Sequence, residues 1–128
     1  MGLSLSTEDG HRRVLVIDTE PGIVRVIARC FGAEGYAVEE AADGVTGLVM
    51  AVAQSHDVVL LDLDLPGLGG MEVLMRLRSE KPGQPVVVIS STADWKSRQD
   101  CLQLGATSLA KPFTLSELLA VVRAQCAR

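Results

Sequence analysis

The sequence predicts an α/β protein, a single domain built on a doubly wound parallel sheet with five strands alternating with five helices. Three observations predict it. Short apolar runs rich in β-branched residues (Val14-Leu15-Val16-Ile17, Val58-Val59-Leu60-Leu61, Val86-Val87-Val88-Ile89) read as strands covered on both faces. The segments between them carry helical apolar spacing, which gives the alternation of a parallel sheet. Each of these strands also runs into polar side chains at its carboxyl end, where open parallel sheets bind their ligands.

Residues 1–11 are polar and without periodicity and are expected to be a mobile tail, leaving 12–128 as the domain. The first strand, Val14 to Ile17, meets Asp18-Thr19-Glu20. Pro21 opens a helix well, because its missing N–H is not needed there. Ile23, Val26, Ile27, Cys30 and Phe31 follow helical spacing as its expected buried face, with a stop near Gly32 and Gly35. Tyr36 to Ala41 is a more polar strand that suits a sheet edge. Val45, Leu48, Val49 and Val52 mark a second helix.

The central strand, Val58 to Leu61, ends in Asp62, and Pro66-Gly67 turns the chain four residues later. A third helix follows from Gly70 to Glu80 through Val73, Leu74 and Leu77, ending before Lys81-Pro82-Gly83. Val86 to Ile89 runs into Ser90-Ser91-Thr92. Residues 94–104 form a weakly patterned helix with Cys101 and Leu102 as its apolar positions, and Trp95 is expected half-exposed at its start. A short strand, Ser108 to Ala110, precedes Lys111-Pro112-Phe113. The capping box Thr114-x-x-Glu117 starts the last helix, which is expected to bury Leu115, Leu118, Leu119 and Val122.

Composition excludes several functions. The chain is 48% hydrophobic but only 3% aromatic, so its core is aliphatic. A net charge of -4 provides no positive field for nucleic acid or anionic membrane. Three scattered cysteines, Cys30, Cys101 and Cys126, form neither a disulfide framework nor a zinc motif. Met1 to Arg13 is polar, neither signal peptide nor membrane span, and a cytoplasmic protein is expected. His56 beside Asp57 lies at the amino end of its strand, far from the acidic edge, and is expected in a solvated turn.

The chemistry gathers at the carboxyl edge. Strands one and three are expected to be neighbours, so Asp18 and Asp62 crowd each other. Paired carboxylates repel unless a cation or proton intervenes, and an oxygen-rich cluster suits Mg²⁺. A carboxylate can also act as a nucleophile and form an acyl phosphate. Phosphoryl transfer then asks mainly for positioning and positive charge, which Mg²⁺ and Lys111 would supply. Ser90 could hydrogen-bond a phosphoryl oxygen.

These residues carry a resemblance. The motifs Val14-Leu15-Val16-Ile17-Asp18-Thr19-Glu20-Pro21, Asp57 through Gly67, Pro85-Val86-Val87-Val88-Ile89-Ser90 and Lys111-Pro112-Phe113 occur in an order and spacing similar to the receiver (REC) domain of two-component response regulators. The resemblance implies a flavodoxin-like sheet of strand order 2-1-3-4-5. It implies Asp62 as phosphoacceptor from the phosphohistidine of a sensor histidine kinase or phosphotransfer protein. Mg²⁺ would be held by Asp18, Asp62 and the backbone carbonyl of Asp64. Lys111 falls at the family's lysine and Ser90 at its switch hydroxyl. Catalysis would extend no further than the protein's own phosphorylation and dephosphorylation. The readout would be a downstream protein or output domain, or a homodimer.

Two departures have consequences. Thr19 stands where the family has a second acid, the direct Mg²⁺ ligand, and a neutral hydroxyl should lower Mg²⁺ affinity. The segment Gly105-Ala106-Thr107-Ser108-Leu109-Ala110-Lys111 is one residue short and lacks the family's fifth-strand aromatic, whose offset from Lys111 is taken by Ser108. Both motivate an alternative, a degenerate pseudo-receiver acting as a phosphate-independent interaction or dimerisation module. A nucleotide- or flavin-binding protein fits less well, because no glycine-rich loop follows the first strand.

Overall fold

Apolar runs become strands here because each is covered from both sides. The computed structural model describes residues 11–91 and 95–126, Trp95 by its backbone alone. The expected tail through residue 10 and the expected half-exposed setting of the Trp95 side chain lie outside the described residues. The elements are β1 (Arg13–Ile17), α1 (Pro21–Ala33), β2 (Ala37–Ala41), α2 (Gly44–Ala53), β3 (Val58–Asp62), α3 (Gly70–Glu80), β4 (Val86–Ser90), α4 (Trp95–Gln103), β5 (Thr107–Ala110) and α5 (Leu115–Cys126). The strands pair in parallel in the order β2-β1-β3-β4-β5. The polar strand, β2, is at an edge, and β3 with its carboxylate is central.

Strand alternation divides the core into two layers. Leu15, Ile17, Val59, Leu61, Val86 and Val88 pack with residues of α2, α3 and α4 such as Ala51, Leu74 and Cys101. Val14, Val16, Val58, Leu60, Val87 and Ile89 pack with Ile27 and Phe31 of α1 and Leu118 and Val122 of α5. Each large aliphatic side chain taken out of water in this way contributes roughly 1.5–3 kcal/mol.

Three packing expectations need correction. In α1 the buried residues are Val24, Ile27 and Phe31, whereas Val26 is exposed; the stripe is rotated because α1 packs between the sheet and α5. In α2, Val45 and Val49 are 60% and 61% exposed, and the face against the sheet is Gly44, Gly47 and Ala51. A Cβ on Gly47 would lie 2.6 Å from the Ile17 side chain, so only small residues allow α2 this close. Leu102 of α4 is exposed while Cys101 is buried. The α5 capping box is formed as expected: Thr114 N–H donates to Glu117 Oε1 (2.7 Å) and Glu117 N–H to Thr114 Oγ1 (3.0 Å).

His56 is also corrected. It is at the amino end of β3 but its side chain is buried, not solvated. Its Nε2 lies 2.6 Å from Glu39 Oε1, and Arg13 Nη2 donates to the same oxygen at 2.8 Å. Burial pushes the imidazole pKa down, against the pull of Glu39, and the ring is neutral with its Nε2–H on the carboxylate. This part-buried bond ties the chain entering β3 to the edge strand β2, two elements that do not pair directly.

Gly70 governs the approach of α3 to the end of β3. A Cβ there would lie 2.5 Å from Leu63 Cα and 2.6 Å from the Asp62 carbonyl oxygen, both backbone atoms that cannot swing aside. Gly70→Ala is expected to destabilise the fold by about 1–3 kcal/mol, the usual range for overpacking. Urea unfolding of the two proteins checks this, with a lowered midpoint as the expected result.

Candidate functional site

Strand order and register bring the sequence-predicted residues to one edge. Asp18 follows β1, Asp62 ends β3, Ser90 ends β4 and Lys111 follows β5, with the order β1-β3-β4-β5 making them near neighbours. Asp18 and Asp62 are each 3% exposed and Ser90 is buried. The Lys111 N–H donates to the Ser90 carbonyl at 2.9 Å, so the β4–β5 ladder aims the lysine at the site.

The two carboxylates are held alike. Asp18 Oδ1 accepts the Glu20 N–H and Asp62 Oδ1 the Asp64 N–H, each at 2.9 Å. Both are Asx turns, so the turn role and the site role coexist in the same side chains. Lys111 Nζ lies 3.4 Å from Asp62 Oδ1, 3.8 Å from Asp64 Oδ2 and 4.0 Å from Glu20 Oε1. One ammonium group is thus shared by three carboxylates. Asp62 Oδ2 accepts no hydrogen bond from the described residues, which leaves it as the open oxygen.

Burial raises the Asp18 pKa, and the charge of nearby Asp62 adds to this, together outweighing the Glu20 N–H and Lys111. A buried carboxylate with a raised pKa beside a second buried carboxylate makes a place where a divalent cation is welcome. Among the described residues no three His, Cys, Asp or Glu side chains cluster as a metal-holding group. For a divalent cation the charged groups at hand are the carboxylates of Asp18 and Asp62. That set fits Mg²⁺, which commonly uses one or two carboxylates and keeps several waters. Thr19 is half-buried next to Asp18 and adds no charge.

One feature of the site escaped sequence reasoning. The Asp64 carboxylate, considered only for its carbonyl, accepts both the N–H (3.1 Å) and the hydroxyl (2.8 Å) of Ser91. Burial works to raise the Asp64 pKa, but the two Ser91 donors and Lys111 overcome it and hold the carboxyl below its usual range. The signal that could have found this pair is register. Asp62 stands opposite Ile89, so two residues further on Asp64 stands opposite Ser91. Glu20, which the sequence also places at this edge, turns toward Lys111 although its side chain is largely exposed.

The fifth strand shows which offset matters. Thr107 Oγ1 accepts a hydrogen bond from Gln125 of α5, and Leu109 packs with the α1 and α5 layer. Alternation turns Ser108 to the α4 side, so the position counted back from Lys111 is the one facing α4. Beside the mouth, Ile23, Val26 and Ile27 of α1 with Pro112, Phe113 and Leu115 line an apolar groove of about 520 Å³ that Lys111 and Ser91 border.

Comparison with known proteins bears on this site. Residues 14–123 match the response regulator receiver domain family. The chain is 38% identical to the uncharacterized transcriptional regulatory protein YkoG of Bacillus subtilis, over 91% of this chain and 51% of that protein. It is 38% identical to the response regulator MprA of Mycobacterium avium, over 88% of this chain and 50% of that one. The chain thus spans about half the length of these curated relatives. Among solved structures it resembles a CheY-like receiver domain protein from Methanospirillum hungatei, with TM-score 0.87, 25% identity, and 91% and 94% of the two chains covered. It also resembles the response regulator TrrA of Thermotoga maritima in complex with Mg²⁺-BeF, with TM-score 0.80, 26% identity, and 89% and 98% covered.

The raised Asp18 pKa has a stability consequence with a definite sign. Folding penalises the charged carboxyl, so Asp18 costs stability at neutral pH and the cost vanishes below the unfolded value of 3.8. Asp18→Asn, whose amide oxygen can still accept the Glu20 N–H, is expected to stabilise the metal-free protein at pH 7. The gain should disappear as pH falls to that value. Urea unfolding at the two pH values with chelator present measures it.

Proposed function

The chain belongs to the response regulator receiver domain family, and on that premise we propose that it is a phosphoacceptor switch. Asp62 takes a phosphoryl group from the phosphohistidine of a sensor histidine kinase or phosphotransfer protein. The observation that carries this reading is the setting of Asp62: a buried carboxylate at the end of the central strand, with Oδ1 held by the Asp64 N–H and Lys111 and Oδ2 left open. The same setting favours phosphoacceptance over the phosphate-independent module, which needs no such arrangement.

In the transfer, Asp62 Oδ2 attacks phosphorus in line. The bond between phosphorus and the donor's imidazole nitrogen breaks, and its electron pair returns to the ring. The open edge of the sheet admits a partner's side chain, and the apolar groove beside Lys111 gives such a partner a surface to rest on. Lys111 neutralises charge on the transferring group. Mg²⁺, when bound at Asp18, Asp62 and the Asp64 carbonyl, supplies further positive charge to the phosphoryl oxygens. Its affinity is lowered by Thr19. Ser90, at the end of β4, reads the phosphoryl group by hydrogen bonding, and the region from α4 through α5 carries the change to a partner or output domain. No helix among the described residues is long and apolar enough to cross a membrane, and the net charge of -4 suits a readout by protein contact.

Intact mass after incubation with acetyl phosphate tests the reading. A phosphate-sized adduct that requires Mg²⁺ and is absent from Asp62→Asn is the expected result. Thr19→Asp should reduce the Mg²⁺ concentration needed by on the order of tenfold, since affinity follows the number of charged ligands. An adduct that survives in Asp62→Asn overturns the assignment of Asp62.

A further inference from the structure

We propose that Asp64 and Ser91 form a clasp that restrains the unphosphorylated state: the Asp64 carboxylate engages the Ser91 N–H and hydroxyl, withholding these two donors from Asp62, and shares Lys111 with it. The clasp rests on the phosphoacceptor reading of Asp62.

The geometry is specific. A single oxygen, Asp64 Oδ2, accepts the Ser91 N–H at 3.1 Å and its hydroxyl at 2.8 Å and lies 3.8 Å from Lys111 Nζ. Lys111 is only slightly nearer Asp62 Oδ1, at 3.4 Å. Hydrogen bonds to an ionised acceptor are among the stronger kind, and here two donors and a cation converge on one. Asp64 is joined to the acceptor through its own N–H on Asp62 Oδ1, so both ends of the clasp belong to the site.

A phosphoryl group on Asp62 would place about two negative charges beside this carboxylate. Lys111 is then drawn to the phosphoryl oxygens, Asp64 is repelled, and its hold on Ser91 weakens. Ser91 is the first residue after β4, on the connection to α4. Release of its two donors frees them for the phosphoryl oxygens and unties the β3–α3 and β4–α4 connections from each other. The clasp is thus a restraint that phosphorylation must break, and removing it should make Asp62 more reactive.

Asp64→Ala removes the carboxylate and keeps the backbone carbonyl. Hydrogen exchange of the Ser91 amide in the unphosphorylated protein should then quicken by about tenfold, the worth of one such hydrogen bond. The initial rate of adduct formation from acetyl phosphate should rise several-fold over wild type. Asp64→Asn, which keeps the shape and an acceptor oxygen but no charge, should fall between the two. Unchanged Ser91 exchange overturns the clasp whatever Asp62 does, and so does faster exchange with an unchanged adduct rate in a wild type that reacts. An adduct on the variant alone supports both clasp and acceptor. No adduct on either protein overturns the phosphoacceptor reading, and the clasp falls with it.

Discussion

The carboxyl edge of this sheet concentrates negative charge that must find a cation. Asp18 and Asp62 are nearly inaccessible to solvent, and a buried carboxylate without a partner is costly. Lys111 meets that need at Asp62 while also touching Asp64 and Glu20. The lysine comes from the far end of the chain, and strand order alone brings it to the acceptor. Asp18 is left with the weaker share, and its burial, with the charge of Asp62, raises its pKa. The same imbalance makes the site receptive to a divalent cation and to a group that brings its own charge compensation.

Small residues make this concentration possible. Gly44 and Gly47 let α2 settle onto β1 and the loop before α3, and Gly70 lets α3 start against the backbone of Asp62 and Leu63. The turn at Pro66-Gly67 uses a positive φ of 67° at the glycine, a conformation L side chains resist. The price of bringing α2 in by its glycine face is that its valines are turned outward. Composition alone would have buried them, because a helix apolar on every side is ordinarily a core helix.

The opposite end of the sheet is tied down by different means. Arg78 of α3 donates to the carbonyls of Leu104, Pro82 and Gln84, at 2.6–2.8 Å, stapling the connections that enter β4 and β5. The Arg13 N–H donates to Asp57, and Gln84 Nε2 to the His56 carbonyl. With the His56–Glu39 bond, these contacts hold the amino ends of the strands. Such an anchored end lets the carboxyl ends carry loops that rearrange, since local opening concentrates where hydrogen bonds are fewest and most exposed.

The fold class and the acidic edge were legible in the sequence, and the strand order followed from the family its motifs resemble. Strands buried on both faces must be continuously apolar, and Asp62 and Ser90 stand at the ends of two such strands. The α5 capping box and the extent of α3 were equally plain, because both are set by residues within a turn or two of each other. The burial of His56, the glycine face of α2 and the rotated stripe of α1 were not. Each depends on what another element presents across a gap, Glu39 on β2 for His56 and Ile17 on β1 for α2. The Asp64–Ser91 contact also arises from register between β3 and β4. By itself the sequence determined which residues would stand at the edge, because that is local chemistry at strand ends. Tertiary structure decided which of them share a proton donor or a cation, because those partnerships are set by distances between strands that are remote in the chain.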